Sequence, residues 1–387
     1  MKILSTTAGG VVKNVDWIEH GLCKELVIFG HDVDSYSSIS VKKVFPQAKK
    51  EEKIDGINVK RFNPISPFSL IEMLKGDWDI IHANHLGYLA PISSFAAIRK
   101  KIKTIPMVFT VHGLYHDPFI VKDIQDPFSK PINYKIAKSF LLNPADWFTH
   151  LPLYTADKVT ALTEWEKNEI KKLGIPEEKI TVIPNGINID KFSKVKSGKS
   201  FREKYNIEGP MILFIGQPIR RKGLEYLIGA MPEIINEFED LKCVFVGYRK
   251  NDKLEELCDK LNIKSNVIFL GFLSEKEKVE ALTAADIFVF PTLYEGFGTV
   301  VVEAMAAGCP VVTTDVAGNS EIVKNNRNGI LVKPKSSEEI CKAVIKLLEN
   351  NGIRKKMGNV NKNEAKKYSW SNVALQFEAI FEEVSNG

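Results

Sequence analysis

Two carboxylates, Glu295 and Glu303, stand eight positions apart around the segment Gly296-Phe297-Gly298-Thr299. A helix that begins in this segment turns unpaired backbone N–H groups, and the positive end of its dipole, toward whatever approaches the two glycines. Such a place suits a phosphate. Carboxylates repel a phosphate, so they are read as acceptors of hydrogen bonds from hydroxyls beside it. Phosphate next to hydroxyls is the chemistry of a sugar nucleotide. Paired carboxylates also serve glycoside hydrolysis, but that reaction needs two acids facing across one bond. A phosphate-ready loop between the acids fits binding better. On one continuous helix the pair would stand about 80° apart at ~3.6 residues per turn. The glycines argue against a single helix: Thr299 is the expected N-cap, with Glu295 before the helix and Glu303 in its second turn.

A second segment with chemical potential is Gly216-Gln217-Pro218-Ile219-Arg220-Arg221-Lys222-Gly223. Consecutive cations ahead of a helix add to the positive end of its dipole and are unfavourable unless an anion sits among them. A diphosphate answers that need, each charge-assisted bond to it contributing roughly 1.5–3 kcal/mol when shielded from water. The plain alternative is a solvated basic turn. His112, followed by Gly113, ends an expected strand at the edge where open α/β sheets hold ligands. A lone histidine is as readily structural. Gly9-Gly10 follow the first expected strand and can admit a phosphate or simply make a βα turn, since no third glycine completes G-x-G-x-x-G.

These residues need elements to position them. Short apolar runs alternate with amphipathic segments through all 387 residues, the pattern of βαβ units and a mostly parallel sheet. The length favours two domains. A first series has strands expected at 2–7, 32–37, 59–62, 80–83, 107–111, 156–163 and 180–187, with helices near 15–26, 89–100 and 164–173. The polar, lysine-rich run 190–209 reads as a domain connection. A second series has strands at 211–215, 243–247, 267–270, 287–290, 311–314 and 329–332, interleaved with helices. Val373, Phe377, Ile380 and Phe381 share one face of a last helix, which therefore packs on something. The expected division is 1–190 and 191–369, with the helix at about 370–387 returning to the first domain.

Composition narrows the classes. The chain is 44% hydrophobic and 26% charged, and its net charge of +5 comes from scattered lysines, so nothing resembles a polybasic arm for nucleic acid. Five cysteines form no C-x-x-C pair, which argues against zinc and for a reducing compartment. The apolar start at Met1-Lys2-Ile3-Leu4-Ser5 is too short for a signal peptide, and no apolar run approaches the ~18 residues of a membrane span. A cytoplasmic protein is expected. Residues 114–154 break the rhythm with interleaved aromatics and prolines, either a functional loop that grips an acceptor or rests on a bilayer, or a helical insertion with its own small core.

The arrays Pro291-Thr292-Leu293-Tyr294-Glu295-Gly296-Phe297-Gly298 and Val302-Glu303-Ala304-Met305-Ala306-Ala307-Gly308-Cys309-Pro310 closely resemble the retaining nucleotide-sugar glycosyltransferases of family four and their E-x7-E motif. The resemblance extends to Gly9-Gly10, His112-Gly113, Ala156-Asp157, Ile183-Pro184-Asn185-Gly186, Lys222-Gly223, Ala285-Asp286 and Glu321, nearly the whole chain. It implies an α/β GT-B architecture, two Rossmann-like domains with parallel sheets facing across a cleft, the acceptor mostly on the first and the nucleotide sugar mostly on the second. By similarity, Lys222 neutralises the diphosphate leaving group, with Gln217 and Arg221 beside it. Glu303 binds the ribose hydroxyls, and Glu295 with the Gly296-Phe297-Gly298-Thr299 segment holds the donor sugar. His112 and Gly9-Gly10 reach the sugar and phosphate from the first domain. One departure stands out: Gln217 occupies the place of the family's usual arginine and brings no charge.

The expected reaction is transfer of a hexosyl group from a nucleoside diphosphate sugar to a hydroxyl acceptor, glycan or lipid-linked, with retention at the anomeric carbon. A front-face displacement is expected, the departing phosphate helping to deprotonate the acceptor and cations stabilising the developing charge. The nucleotide sugar is a co-substrate; neither a separate cofactor nor a metal is expected, and peripheral membrane contact through 114–154 is. Two alternatives stand beside this reading. One is a sugar-nucleotide epimerase on the same scaffold, which needs a general base at the sugar carbon. The other, suggested by Gln217, is a weakly active sugar-nucleotide binder.

Overall fold

The computed structural model describes all residues except 8–9, 14–17, 44, 64–67, 86–90, 113–143, 196, 249–251 and 387. Gly9, Gly113 and most of the aromatic segment thus lie outside the described residues. The chain forms two compact units: Met1–Leu114 with Ile132–Asn188 and Ser369–Gly387, and a second that contains Ile189–Tyr368.

The first unit carries an eight-stranded sheet. Its strands are β1 (Lys2–Thr7), β2 (Asp32–Ser38), β3 (Glu51–Ile54), β4 (Ile57–Phe62), β5 (Ile80–Asn84), β6 (Met107–Thr110), β7 (Lys158–Ala161) and β8 (Ile180–Val182), in the order β3-β4-β2-β1-β5-β6-β7-β8. Only β3–β4 is antiparallel. Neighbouring residues go to opposite cores: Leu4, Ile81 and Met107 to one face, Ile3, Ile80 and Val108 to the other. This is the period-two consequence of a strand covered on both sides, and it explains why these strands read as continuous apolar runs. The β3–β4 hairpin was not foreseen, although Asp55-Gly56 is its signal. Asp55 (φ 48°) and Gly56 (φ 86°) are both left-handed, as a two-residue hairpin turn requires.

The last helix, Trp370–Asn386, buries Val373, Phe377, Ile380 and Phe381 against Leu22, Cys23 and Leu26 of the helix Ile18–Ile28 and against the sheet. Burying such side chains contributes about 1.5–3 kcal/mol each. The last part of the aromatic segment is a helix, Pro144–Thr155, with Leu151 and Leu153 buried in the core.

The second unit has a six-stranded parallel sheet of β9 (Met211–Ile215), β10 (Lys242–Val246), β11 (Val267–Leu270), β12 (Ile287–Phe290), β13 (Val311–Thr314) and β14 (Gly329–Val332), ordered β11-β10-β9-β12-β13-β14. The run read as a bare connection is structured and belongs here. Its short helices Asp190–Ser193 and Lys199–Lys204 bury Phe192 and Phe201, and Arg202 binds Ala284 O (2.7 and 3.0 Å) and Asp286 Oδ2 (2.6 Å). Two isolated phenylalanines and an arginine anchor it where no apolar run exists to announce an element.

In each sheet the chain reverses its direction of travel once, between β1 and β5 and between β9 and β12. Open α/β sheets leave a crevice outside the carboxyl ends of strands at such points.

Candidate functional site

In the second unit the loops after β9 and β12 meet at the reversal point. The basic loop closes with a turn, Arg220–Lys222, ended by Gly223 in the left-handed region (φ 62°). A Cβ at Gly223 would lie 2.3 Å from Pro291 O, so only glycine lets the loop lie against the end of β12. Leu293 N–H and Thr292 Oγ1–H both donate to Arg221 O, at 2.6 and 3.0 Å, and lock the two loops together. The Lys222 ammonium lies over the Phe290 ring, 4.5 Å from its centroid, and pairs with Glu295 Oε2. Arg221 Nη1 approaches the same oxygen at 3.6 Å. Burial, with Arg221 adding to it, pushes the Lys222 ammonium below its ordinary range even though Glu295 works the other way.

The sequence placed a diphosphate among three consecutive cations and hydroxyls at Glu295; in this structure Glu295 itself lies against two of those cations, Arg221 and Lys222. Arg220 and Gln217 are exposed at the mouth of the loop.

The helix Thr299–Ala307 follows. Its cap is Gly298 and not Thr299, which is already helical, and no side chain caps it. A Cβ on residue 298 would meet Asn319 Oδ1 and Val301 Cγ2 at 3.0 Å, so a side chain at the cap position is disfavoured. Thr299 N–H donates to Phe297 O (2.9 Å) and Val301 N–H to Gly298 O (2.8 Å), so this helix start offers an anion fewer donors than its sequence promised. Gly318 N–H binds Glu295 O at 3.0 Å and fixes that residue ahead of the helix. Asn319 Nδ2 donates to Thr313 Oγ1 at 2.8 Å, while its buried Oδ1 has no hydrogen-bond partner among the described residues.

Glu303 lies in the helix with its side chain 10% exposed and accepts from Lys278 Nζ (2.9 Å) and Lys191 Nζ (3.0 Å). Burial pushes its carboxyl up, but the two ammoniums more than offset that and hold it below the usual range. Lys191 also reaches Glu275 Oε2 at 2.9 Å. Lys191, Lys278 and Asn319 were missed from sequence. The lysines read as ordinary surface charge, and only their fold neighbours reveal them.

In the first unit, Gly10 (φ 79°) follows β1, and a Cβ there would lie 2.3 Å from Ser37 Oγ. Arg61, fully buried, donates from Nη2 to Val11 O at 2.6 Å and holds this loop. His112 follows β6, and its Nε2 meets Asn84 Oδ1 at 3.1 Å. Its ring lies 4.3 Å from that of His85, which follows β5. His85 Nε2 meets Glu19 Oε1 at 2.5 Å, and Thr7 Oγ1 donates to the same oxygen at 2.7 Å. Burial and the neighbouring His85 keep the His112 ring well below its ordinary pKa. Glu19 is pushed up by burial, yet the hydrogen bond and charge of His85, with smaller help from His112 and Thr7, bring it down to about 2. Sequence reading identified His112 but not Glu19, Asn84 or His85. The His-Ala-Asn-His run at the end of β5 was the available signal.

Among the described residues no group of three His, Cys, Asp or Glu is placed to hold a metal ion, and no helix is long and apolar enough to cross a membrane. The five cysteines are buried and unpaired.

Comparison with known proteins adds a family to this geometry. Residues 198–364 match the model described as glycosyl transferases group 1, and residues 20–191 that of glycosyltransferase family 4. An uncharacterized glycosyltransferase of Methanocaldococcus jannaschii is 34% identical over 388 residues, covering 92% of this chain and 90% of its own. The phosphatidyl-myo-inositol mannosyltransferase of Mycobacterium leprae is 31% identical over 205 residues, 52% of this chain and 53% of its own. Among solved structures, Anabaena HepE in complex with UDP matches with a TM-score of 0.76 at 18% identity, covering 99% of this chain and 100% of that one. A glycosyltransferase from Rickettsia africae matches with 0.77 at 21% identity, covering 99% and 98%.

Proposed function

Since this chain belongs to glycosyltransferase family four and has the GT-B fold, we propose that it moves a hexosyl group from a nucleoside diphosphate sugar to a hydroxyl acceptor with retention. The observation that carries this is the apposition of Arg221 and Lys222 to Glu295 at the reversal point of the second sheet. A diphosphate entering there takes over the two cations, and the released Glu295 carboxylate accepts from hydroxyls of the donor sugar. Glu303, held ionised by its two lysines, accepts from the ribose hydroxyls, and the Gly296-Phe297-Gly298-Thr299 segment lines the sugar. As the bond to the leaving diphosphate breaks, Lys222 stabilises the charge that develops on it, without a metal.

The UDP complex of Anabaena HepE supports a nucleoside diphosphate donor, and the mannosyltransferase relative supports a glycan or lipid-linked acceptor. Work at the cytoplasmic face of a membrane fits such an acceptor. A sugar-nucleotide epimerase is not favoured, because the relatives are named glycosyltransferases.

A thermal-shift panel of nucleoside diphosphates and their sugars tests the reading. The matching ligand at a hundred times its Kd stabilises the protein by about 2.7 kcal/mol. Turnover is then followed with candidate acceptors, and the anomeric configuration of the product is read by NMR. A panel with no stabilising nucleotide sinks the donor assignment; an inverted product sinks retention.

A further inference from the structure

Glu303 belongs to a closed ring of two carboxylates and two ammoniums, all within the second unit. Lys278 Nζ donates to Glu303 Oε1 at 2.9 Å and pairs with Glu275 Oε1 at 3.1 Å. Lys191 Nζ donates to the same Glu303 Oε1 at 3.0 Å and to Glu275 Oε2 at 2.9 Å. The two carboxylates are used differently. Glu275 offers one oxygen to each ammonium, whereas Glu303 meets both with Oε1 and has no hydrogen bond on Oε2 among the described residues. An ionised carboxylate has about four lone-pair sites on its two oxygens, so the ring occupies one half of Glu303 and leaves the other half to accept. Three elements set this geometry. Buried Phe192 anchors the short helix that carries Lys191, and the capping box of Ser274 and Glu277 fixes the start of the helix Glu275–Ala284. Glu275 and Lys278 stand three positions apart on that helix, on one face, and Glu303 reaches them from Thr299–Ala307.

We propose that Lys191 and Lys278 are positioning residues for the nucleotide: they clamp Oε1 of Glu303 from two sides and so present Oε2 to a ribose hydroxyl. The inference rests on the transferase reading above, in which Glu303 accepts from the ribose, and adds to it the residues that set how strongly the ribose is read. A carboxylate free to turn offers either oxygen in several directions. One whose Oε1 is held by two ammoniums has lost that freedom before the ligand arrives, so its bond to a hydroxyl costs less ordering. Burial alone would push the Glu303 carboxyl up, and the two ammoniums bring it below the usual range, which makes Oε2 a charged acceptor. Hydrogen bonds to such an acceptor are stronger than those to a neutral one. Two positive and two negative charges also balance within the ring. It therefore reads a hydroxyl without competing for the diphosphate, whose place is at Lys222.

The test is calorimetry on the full chain with UDP, GDP and ADP, each beside its 2′- and 3′-deoxy forms. In the parent, the ribo form of the matching nucleotide is expected to bind about 10- to 100-fold more tightly than at least one of its deoxy forms. The double variant Lys191→Met with Lys278→Met keeps the apolar stems and removes both charges. It is expected to cut that preference at least about five-fold. Each single variant keeps one ammonium on Oε1 and loses part of the preference, which carries the test if the double variant does not fold. A merely structural role would weaken ribo and deoxy ligands alike and leave their ratio unmoved. A ratio within about two-fold of the parent's in the double variant, or in both single variants where only they fold, overturns the proposal. The two readings fail differently. A parent that binds none of the nucleotides refutes the donor site, and one that binds without distinguishing the deoxy forms takes the ribose away from Glu303. A parent that distinguishes them, beside variants that keep its ratio, refutes the lysines alone.

Discussion

Lys222 and Glu295, 73 positions apart in sequence, form an ion pair between two largely buried side chains at the reversal point of the second sheet. Under the proposed mechanism Lys222 has two separable roles, in stability and in catalysis. Lys222→Ala removes the main partner of Glu295 but leaves Arg221 at 3.6 Å, so the stability cost is about 1–3 kcal/mol. The catalytic cost is larger, on the order of 10²- to 10³-fold in kcat, the usual penalty for losing one preorganised charge stabiliser. The double variant Lys222→Met with Glu295→Gln is expected to recover the stability and none of the turnover. Urea melts and steady-state rates on the same samples check both, and turnover of Lys222→Ala within a few-fold of the parent removes Lys222 from the mechanism.

Glu303 meets two ammoniums, from Lys278 at 2.9 Å and Lys191 at 3.0 Å, which keep it ionised in spite of its burial. If it accepts from ribose hydroxyls, removing one hydroxyl matters only while the carboxylate is present. The 2′-deoxy nucleoside diphosphate is expected to bind the parent about 10- to 100-fold more weakly than the ribo form, the worth of a hydrogen bond to a charged group. In Glu303→Gln the two ligands converge. Calorimetric Kd values for the four combinations form the cycle, and an equal preference in parent and variant places the ribose elsewhere.

Much of this fold was legible because buried parallel strands are apolar throughout. Phe288, Val289 and Phe290 in β12 and Val311 and Val312 in β13 can be read as strands without any partner in view. The β3–β4 hairpin was lost because Glu51, Glu52 and Lys53 at the sheet edge hide the pattern, although Asp55-Gly56 marks its turn. The site divides in the same way. Glu295, Glu303 and Lys222 stand out through local glycines and charge runs. Their partners do not: Lys191 is 112 positions from Glu303, and Glu19 is 66 from His85, and only the strand order joins them. Thr299 was taken for a cap on propensity, yet packing of residue 298 against Asn319 and Val301 makes Gly298 the cap.

Stability is expected to fall below neutral pH, and His82 is one reason. It is 2% exposed, bonds Thr110 Oγ1 at 2.7 Å and packs against Phe377 and Phe381. Burial lowers its pKa to about 3, so between about 6.5 and 3 the unfolded chain binds a proton that the folded chain does not. Stability is therefore complete above pH 6.5 and declines as pH falls, by about 1.4 kcal/mol per unit for this one group. His112, shifted in the same direction, steepens the slope. Glu19 has the opposite linkage, its contribution being intact above about 4.5 and lost only toward 2, so it is silent in this window. Chemical melts from pH 7.5 to 5 read the slope, and His82→Gln is expected to reduce it. A parent whose stability is flat over that range rules out a neutral buried His82.

Trp370 holds the last helix in place, and two glycines make its slot. A Cβ at Gly21 would fall 2.1 Å from the indole Nε1 and Cε2, and one at Gly186 would fall 2.3 Å from its Cε3, so the ring fills the space that a side chain at either glycine would need. Trp370 N–H also donates to Ile187 O at 3.3 Å, tying the helix start to the chain that follows β8. Gly21→Ala pushes a methyl into the indole and is expected to cost about 1–3 kcal/mol by overpacking. Trp370→Ala empties the slot and costs about 3–5 kcal/mol. If the two changes act on one space they are not additive: Gly21→Ala in a Trp370→Leu background is expected to cost less than in the parent, by an interaction energy of about 0.5–3 kcal/mol. Urea denaturation of the four proteins measures that energy. Strict additivity means that the glycine serves the helix Ile18–Ile28 alone, and the terminal helix is then held by Val373, Phe377 and Phe381 without its tryptophan.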